Sequence, residues 1–274
     1  MSDGTHPFGR TYHHRVAQPR STERWAPDRL AAGVVLASGS GTRVGGELNK
    51  VYLPMAGRRV VGWSLAALAR VAGVLVLVIR PQDRALADDV LADPALAGLP
   101  VEVTHGGATR QDSELMALRL LAGRIDSGVV DTVLIHDAAR PLVTPELVGA
   151  VLRAARESGG AIPGVPRTDL IRVDADGVVA EADLGRVVTV QTPQGYRAAP
   201  LLAAYEQAAA DGFVGTDTAA CMARYSGTTT RCIPGDVHNM KITYPYDVAI
   251  AADLLARDTA RYDVDGLRGV RLHR

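Results

Sequence analysis

Ala32-Gly33-Val34-Val35-Leu36-Ala37-Ser38-Gly39-Ser40-Gly41-Thr42-Arg43-Val44-Gly45-Gly46, with Lys50 just beyond, joins a short apolar run to a glycine-rich loop carrying two cations. Val34 to Leu36 are continuously apolar rather than alternating, which marks a strand buried on both faces. The glycines permit backbone approaches that a Cβ would block. Such a loop can turn several N–H groups toward an anion, and Arg43 and Lys50 add full positive charges, so a polyphosphate fits it. Two commoner phosphate motifs do not apply. The dinucleotide fingerprint fails because Val44 stands where its third glycine belongs, and the Walker pattern fails because Glu47 stands where its lysine belongs. A tight β-to-α turn with incidental charges is the plainer alternative.

Outward from this loop the pattern alternates strands with amphipathic helices. Helices are expected over Val60 to Val71, Ala85 to Leu96, Ser113 to Ala122, Pro145 to Glu157, Leu201 to Asp211 and Tyr246 to Arg257. Strands are expected at Val74 to Ile79, Pro100 to Thr104, Thr132 to Ile135, Val187 to Val190, Arg231 to Ile233 and Met240 to Thr243. That rhythm predicts an α/β fold on a doubly wound, mostly parallel sheet. It breaks between about 163 and 187, where Leu170 to Val173 and Val178 to Ala180 flank Asp174-Ala175-Asp176-Gly177 as a protruding β-hairpin arm. Residues 1–29 are polar, rich in Arg and His and without periodicity; they read as a flexible extension, with residues 30–274 forming one domain.

The chain has 274 residues, enough to bury a sizeable core, and its formal net charge is zero. That balance argues against broad nucleic-acid or anionic-membrane binding, so any phosphate site must be local. Cys221 and Cys232 give neither a disulfide framework nor metal-ligand spacing, which suits a reducing cytoplasm. No apolar run approaches the length of a membrane span.

Three further stretches carry chemistry. His136-Asp137-Ala138-Ala139-Arg140-Pro141 follows a strand, at the end of an open sheet where ligands gather, and Asp137 there could hold Mg²⁺ against phosphate oxygens. Gly106-Gly107-Ala108-Thr109-Arg110-Gln111-Asp112-Ser113 lets backbone approach a flat base, with Ser113 in reach; an ordinary helix cap is the alternative. Lys241, inside Asn239-Met240-Lys241-Ile242-Thr243, is costly in a β-prone run unless its ammonium finds a partner.

With Gln191-Thr192-Pro193-Gln194 and Thr216-Asp217, these fragments occur in an order that resembles the 2-C-methyl-D-erythritol 4-phosphate cytidylyltransferase family of isoprenoid biosynthesis, and its relatives acting on ribitol 5-phosphate. The likeness runs from about Leu30 to Leu255. It implies a Rossmann-like nucleotidyltransferase fold, a homodimer interlocked by the arm, and transfer of CMP from CTP to a phosphorylated polyol with Mg²⁺ and release of pyrophosphate. On that likeness Arg43, Lys50 and Lys241 are expected to be catalytic. Ala37, Ser38, Gly39, Gly41, Gly107, Arg110 and Ser113 are expected to hold the nucleotide, and Asp137 the metal. Arg140, Thr192, Thr216 and Arg186 are expected on the acceptor side. The chemistry is self-consistent. A phosphate oxygen is already anionic near neutral pH, so positioning and charge neutralisation suffice without a general base.

The departures cluster in the arm. Thr168-Asp169 reverses the family's Asp-Thr, and Leu184 stands where the family has an arginine, leaving Arg186 or Arg167 to replace it. Near the glycine loop Asn49 and Val51 replace the usual neighbours of the lysine. The family's usual acceptor is the leading expectation by the likeness alone, and these departures make ribitol 5-phosphate, another polyol phosphate or a phosphonate the alternatives. A nicotinamide-dependent dehydrogenase and a non-catalytic nucleotide-binding subunit are the rival readings.

Overall fold

The computed structural model describes residues 29–39, 49–94, 96, 98–180 and 185–262. β1 (Leu30–Leu36) is followed by a 3-10 turn at Lys50–Tyr52, a small hairpin of β2 (Pro54–Met55) and β3 (Arg58–Arg59), and α1 (Val60–Ala69). Then come β4 (Val74–Ile79), α2 (Arg84–Leu91), β5 (Val101–His105), α3 (Arg110–Asp126), β6 (Val130–Asp137), α4 (Pro145–Ser158) and β7 (Gly160–Pro166). The arm is β8 (Arg172–Val173) with β9 (Val179–Ala180). The chain continues with β10 (Val188–Val190), β11 (Gln194–Arg197), α5 (Ala198–Ala210), α6 (Thr218–Tyr225), β12 (Thr230–Pro234) and α7 (Tyr246–Arg257).

Local chemistry sets the boundaries. α3 starts on a capping box: the Thr109 hydroxyl accepts from the Asp112 N–H while the Asp112 carboxylate accepts from the Thr109 N–H, both at 3.0 Å. α4 starts with Thr144 as cap and Pro145 in its first turn, and stops at Gly159, whose φ of 98° a side chain would resist. α2 ends at Leu91, sooner than its periodicity suggests, in a turn at Ala92.

The main sheet runs β10-β7-β11-β6-β1-β4-β5, with β12 on β7. β1 pairs in parallel with β4 and β6, β4 with β5, and β12 with β7, whereas β11 runs antiparallel to β6 and β7, as does β10 to β7. Helices cover both faces. α1, α2 and α4 pack with Val35, Leu77 and Leu134 on one face, while α3, α5 and α6 pack with Val34, Val76 and Ile135 on the other. Every residue of β6 is buried, which explains its continuous apolar run. A smaller cluster seats α7 against β2 through Met55, Ile242, Ala251 and Leu255.

Other expectations also need correction. The rhythm breaks later than Pro163, because Gly160–Pro166 is a full strand of the main sheet. The hairpin turn is longer than an Asp-Gly pair: the Asp174 carboxylate accepts from the N–H groups of Asp176 and Val178, closing a loop of residues 174–178. Met240 to Thr243 is not a strand. It is an irregular stretch tied down where the Ile242 N–H donates to the Ala139 carbonyl at 2.8 Å. α3 begins at Arg110, three residues before Ser113.

Candidate active site

From β1 the chain builds outward through β4 to β5, then α3 carries it back to β6 on the opposite side of β1. The strand order therefore reverses between β1 and β6, and a crevice opens beyond their carboxyl ends. A cavity of about 400 Å³ lies there. Its wall includes Ser38 and Gly39 after β1, Gly107 to Arg110 after β5, and Asp137 and Ala139 at the end of β6, with Lys50 and Lys241. Three cations and one carboxylate thus face a single space in a chain of zero formal charge. No histidine or cysteine lines it among the described residues.

Asp137 is the centre of charge. It is only 7% exposed, and its Oδ1 accepts from Arg110 Nη1 while its Oδ2 accepts from Lys241 Nζ at 2.7 Å. Burial alone would raise its pKa, yet the charges of Arg110 and Lys241 outweigh that and hold the carboxyl well below its ordinary range. The backbone around it is equally constrained. The Asp137 N–H donates to the Thr192 hydroxyl at 3.1 Å, and that hydroxyl also meets His136 Nδ1 at 3.1 Å. His136 Nε2 lies 3.2 Å from the Arg140 carbonyl, an acceptor only, so Nε2 carries the proton and Nδ1 accepts from Thr192. Burial lowers the His136 pKa to about 4, so the imidazole is a neutral structural link.

Lys241 owes its position to a lattice of carbonyl contacts. Arg140 Nη1 donates to the Asn239 carbonyl at 2.7 Å, and Asn239 Nδ2 donates to the Thr192 carbonyl at 2.9 Å. Gln191 Nε2 donates to the Asp236 carbonyl at 2.7 Å. Together these hold an irregular stretch across from Asp137.

Two loops meet on the other wall. The Ser113 hydroxyl donates to the Thr109 carbonyl at 2.9 Å, and it accepts from Gly107 N–H at 3.2 Å and from the Ser38 hydroxyl at 3.0 Å. A Cβ on Gly106 would lie 2.6 Å from the Ser38 Cβ, and one on Gly107 2.3 Å from the Asp112 Cβ. Gly106 is what lets the loops after β1 and β5 close on each other, and Gly107 lets its own loop fold tightly onto the start of α3. Lys50 is 8% exposed and opens the 3-10 turn. Its neighbour Asn49 fixes that turn: Nδ2 donates to the Ala37 carbonyl at 2.7 Å and to Asp83 at 3.1 Å, and Asp83 is gripped by the Arg80 fork at 2.7 and 2.8 Å.

Of the residues expected from sequence, Ser38, Gly39, Lys50, Gly107, Arg110, Ser113, Asp137 and Lys241 come together at the cavity. Gly41 and Arg43 lie outside the described residues, as does the Leu184 departure. Ala37 is buried behind the wall. Arg140 and Thr192 stand behind Asp137 with their side chains bonded to backbone or to His136. Thr216 is exposed before α6, and Arg186 is exposed at the foot of the arm. Arg167 is held by Asp169 at 2.5 and 2.8 Å. Sequence reasoning missed Asn49 as an anchor and Glu114 as a partner of Arg110. The second was readable as an oppositely charged pair four residues apart on one helix.

Residues 31–257 match the family described as 2-C-methyl-D-erythritol 4-phosphate cytidylyltransferase. A protein of that name from Cereibacter sphaeroides is 42% identical over 228 residues, covering 82% of this chain and 96% of the relative. The structure is similar to that of 4-diphosphocytidyl-2C-methyl-D-erythritol synthase from Anaerococcus prevotii, with TM-score 0.72, 25% identity and coverage of 84% of this chain and 100% of that one. It is also similar to the 2-C-methyl-D-erythritol 4-phosphate cytidylyltransferase of Thermus thermophilus, with TM-score 0.62, 31% identity and coverage of 83% and 99%. With the match spanning the whole sheet and the cavity at its switch point, the chain belongs to the 2-C-methyl-D-erythritol 4-phosphate cytidylyltransferase family.

Proposed function

We propose that the cavity at Asp137 is where this cytidylyltransferase joins CMP from CTP to 2-C-methyl-D-erythritol 4-phosphate. One observation carries the reading: Lys50, Arg110 and Lys241 converge with one ionised carboxylate beyond the ends of β1 and β6. An oxygen of the acceptor phosphate attacks the α-phosphorus of CTP in line. A new P–O bond forms, the bond from the α-phosphorus to the bridging oxygen breaks, and pyrophosphate leaves with the electron pair. The nucleophile is already ionised, so the site needs no proton acceptor, and none of the lining side chains is a histidine or cysteine among the described residues. Lys50 and Lys241 neutralise charge that builds on the phosphates, in a crevice where such charges act more strongly than in water. Arg43, expected to be catalytic on the family likeness, is assigned the same role.

The donor set suits Mg²⁺. No group of three or more His, Cys, Asp or Glu converges as a cage among the described residues, and Mg²⁺ commonly takes one or two carboxylates and fills its sphere with phosphate and water oxygens. Asp137 would hold it, since each of its oxygens has a lone pair beyond the one used by Arg110 or Lys241. When bound, the ion would neutralise phosphate charge and align the triphosphate.

Ser38, Gly39, Gly107 and Ser113 form the wall for the base, Ser113 by holding the two loops together. Arg140 and Thr192 support the acceptor side from behind Asp137, while Thr216 and Arg186, exposed outside the cavity wall, are assigned to the acceptor on the family likeness. The arm exposes Leu170, Ile171, Val173, Val178 and Val179, an apolar surface suited to a second copy of the chain, so the working unit is a homodimer. No helix among the described residues is long and apolar enough to cross a membrane, and the proposed setting is the cytoplasm. The test is pyrophosphate release from CTP and Mg²⁺ with a panel of acceptors. Release with 2-C-methyl-D-erythritol 4-phosphate supports the assignment; release only with ribitol 5-phosphate or another phosphorylated polyol would reassign the acceptor.

A further inference from the structure

Behind Arg110 stands a buried carboxylate that the reaction itself does not use. Glu114 lies one turn further along α3 and is 1% exposed. Its Oε1 accepts from Arg110 Nε at 2.8 Å and from the Thr218 hydroxyl at 3.2 Å, and its Oε2 accepts from the Tyr205 hydroxyl. Tyr205 belongs to α5 and Thr218 opens α6, so three helices fix this carboxylate. A buried carboxylate is costly unless paired, and here the pairing is with Arg110.

Arg110 is therefore shared between two anions. Nε is committed to Glu114 and Nη1 to Asp137, while Nη2 is buried with no hydrogen-bond partner among the described residues. We propose that Glu114 is a positioning residue for the nucleotide site, keeping Arg110 to a single bond with Asp137 so that Asp137 retains lone pairs for the incoming nucleotide complex. This rests on the reading of the cavity as the CTP site.

The physical reason is the shape of the guanidinium. It prefers a two-pronged grip on a carboxylate, and Nη2 is the spare prong. With the charge of Glu114 removed, Asp137 becomes the main anionic partner within reach. Nη1 and Nη2 then close on it together, crowding Lys241 and masking the carboxylate. Simple electrostatics has the opposite sign: one carboxylate fewer makes the site more positive and tightens triphosphate binding. A purely structural role would lower thermal stability and leave the affinity of the folded protein unchanged.

Calorimetric titration of the full chain with CTP in the presence of Mg²⁺ separates these cases. Glu114→Gln keeps the volume and an acceptor for Arg110, and the expected result is binding weakened about fivefold. In an Arg110→Met background the same substitution is expected to change the affinity no further. Tyr205→Phe loosens the same carboxylate at nearly constant volume and is expected to weaken binding about twofold, which keeps the proposal testable where Glu114→Gln does not fold. Unchanged or tighter binding by Glu114→Gln would overturn it, as would unchanged binding by Tyr205→Phe where that variant has to stand alone. Failure of the wild-type chain to bind CTP would instead remove the reading of the cavity, and this inference with it.

Discussion

Lys241 and Lys50 come to one cavity from distant parts of the chain, one from the irregular stretch after β12 and one from the 3-10 turn at Lys50–Tyr52. Each is a point charge that a methyl group cannot replace. Lys50→Ala and Lys241→Ala are expected to lower turnover by about 10²- to 10³-fold while circular dichroism stays unchanged. Turnover close to wild type in either variant would count against charge neutralisation as the source of rate. His136 gives a pH-dependent expectation. Its folded pKa of about 4 lies below the unfolded value near 6.5, so the unfolded chain takes up a proton first as pH falls. Stability is then lost between about pH 6.5 and pH 4, on the order of 3 kcal/mol from this residue. Glu114 works in the other direction, because burial raises its pKa and protonation relieves that cost. Urea melts of wild type and His136→Gln at several pH values isolate the histidine. The variant should show a shallower fall toward low pH, and identical slopes would remove His136 as the cause.

At the scale of elements, the loops after β1 and β5 are held together by the close approach at Gly106 and by the Ser113 hydroxyl, which ties Ser38 to the Gly107 N–H. Gly107→Ala drives a Cβ against Asp112, the carboxylate of the α3 capping box, so it should strain the wall and the helix start together. The expected loss is about 1–3 kcal/mol, read as a lowered denaturation midpoint, with CTP binding weakened alongside. Thr109→Ala, which removes only the cap, should cost about 1 kcal/mol and leave CTP binding closer to wild type. Equal effects on binding would show that the glycine has no special place in the wall. The elements differed in how well the sequence announced them. Val74–Ile79 and Tyr246–Arg257 agree with their patterns to the residue, because a continuous apolar run and an amphipathic stripe are local signals. α6 left too short a signal, and no strand was expected at Gln194–Arg197, whose pairing with β6 and β7 is a long-range fact. Lys241 was legible as a costly lysine needing a partner, but only the fold shows that the partner is Asp137.

For the whole molecule, zero net charge and a cationic crevice are compatible because the chain's topology gathers residues 50, 110, 137 and 241 at one switch point. The motifs that carry the family likeness were visible separately, and their convergence on one cavity was not. The arm is the other feature that acts at this scale. Replacing residues 170–180 with a short polar turn should leave the main sheet folded and, on the proposed homodimer, give a monomer in light scattering where the wild type gives a dimer; a variant that is still a dimer, or a monomeric wild type, would contradict an interface built on the arm. The most direct test of the site itself is a crystal structure of the protein with CTP and 2-C-methyl-D-erythritol 4-phosphate bound. The triphosphate is expected within hydrogen-bonding reach of Lys50 and Lys241, with its α-phosphate beside Asp137 and the base against Gly107. A nucleotide bound away from the ends of β1 and β6 would contradict the assignment.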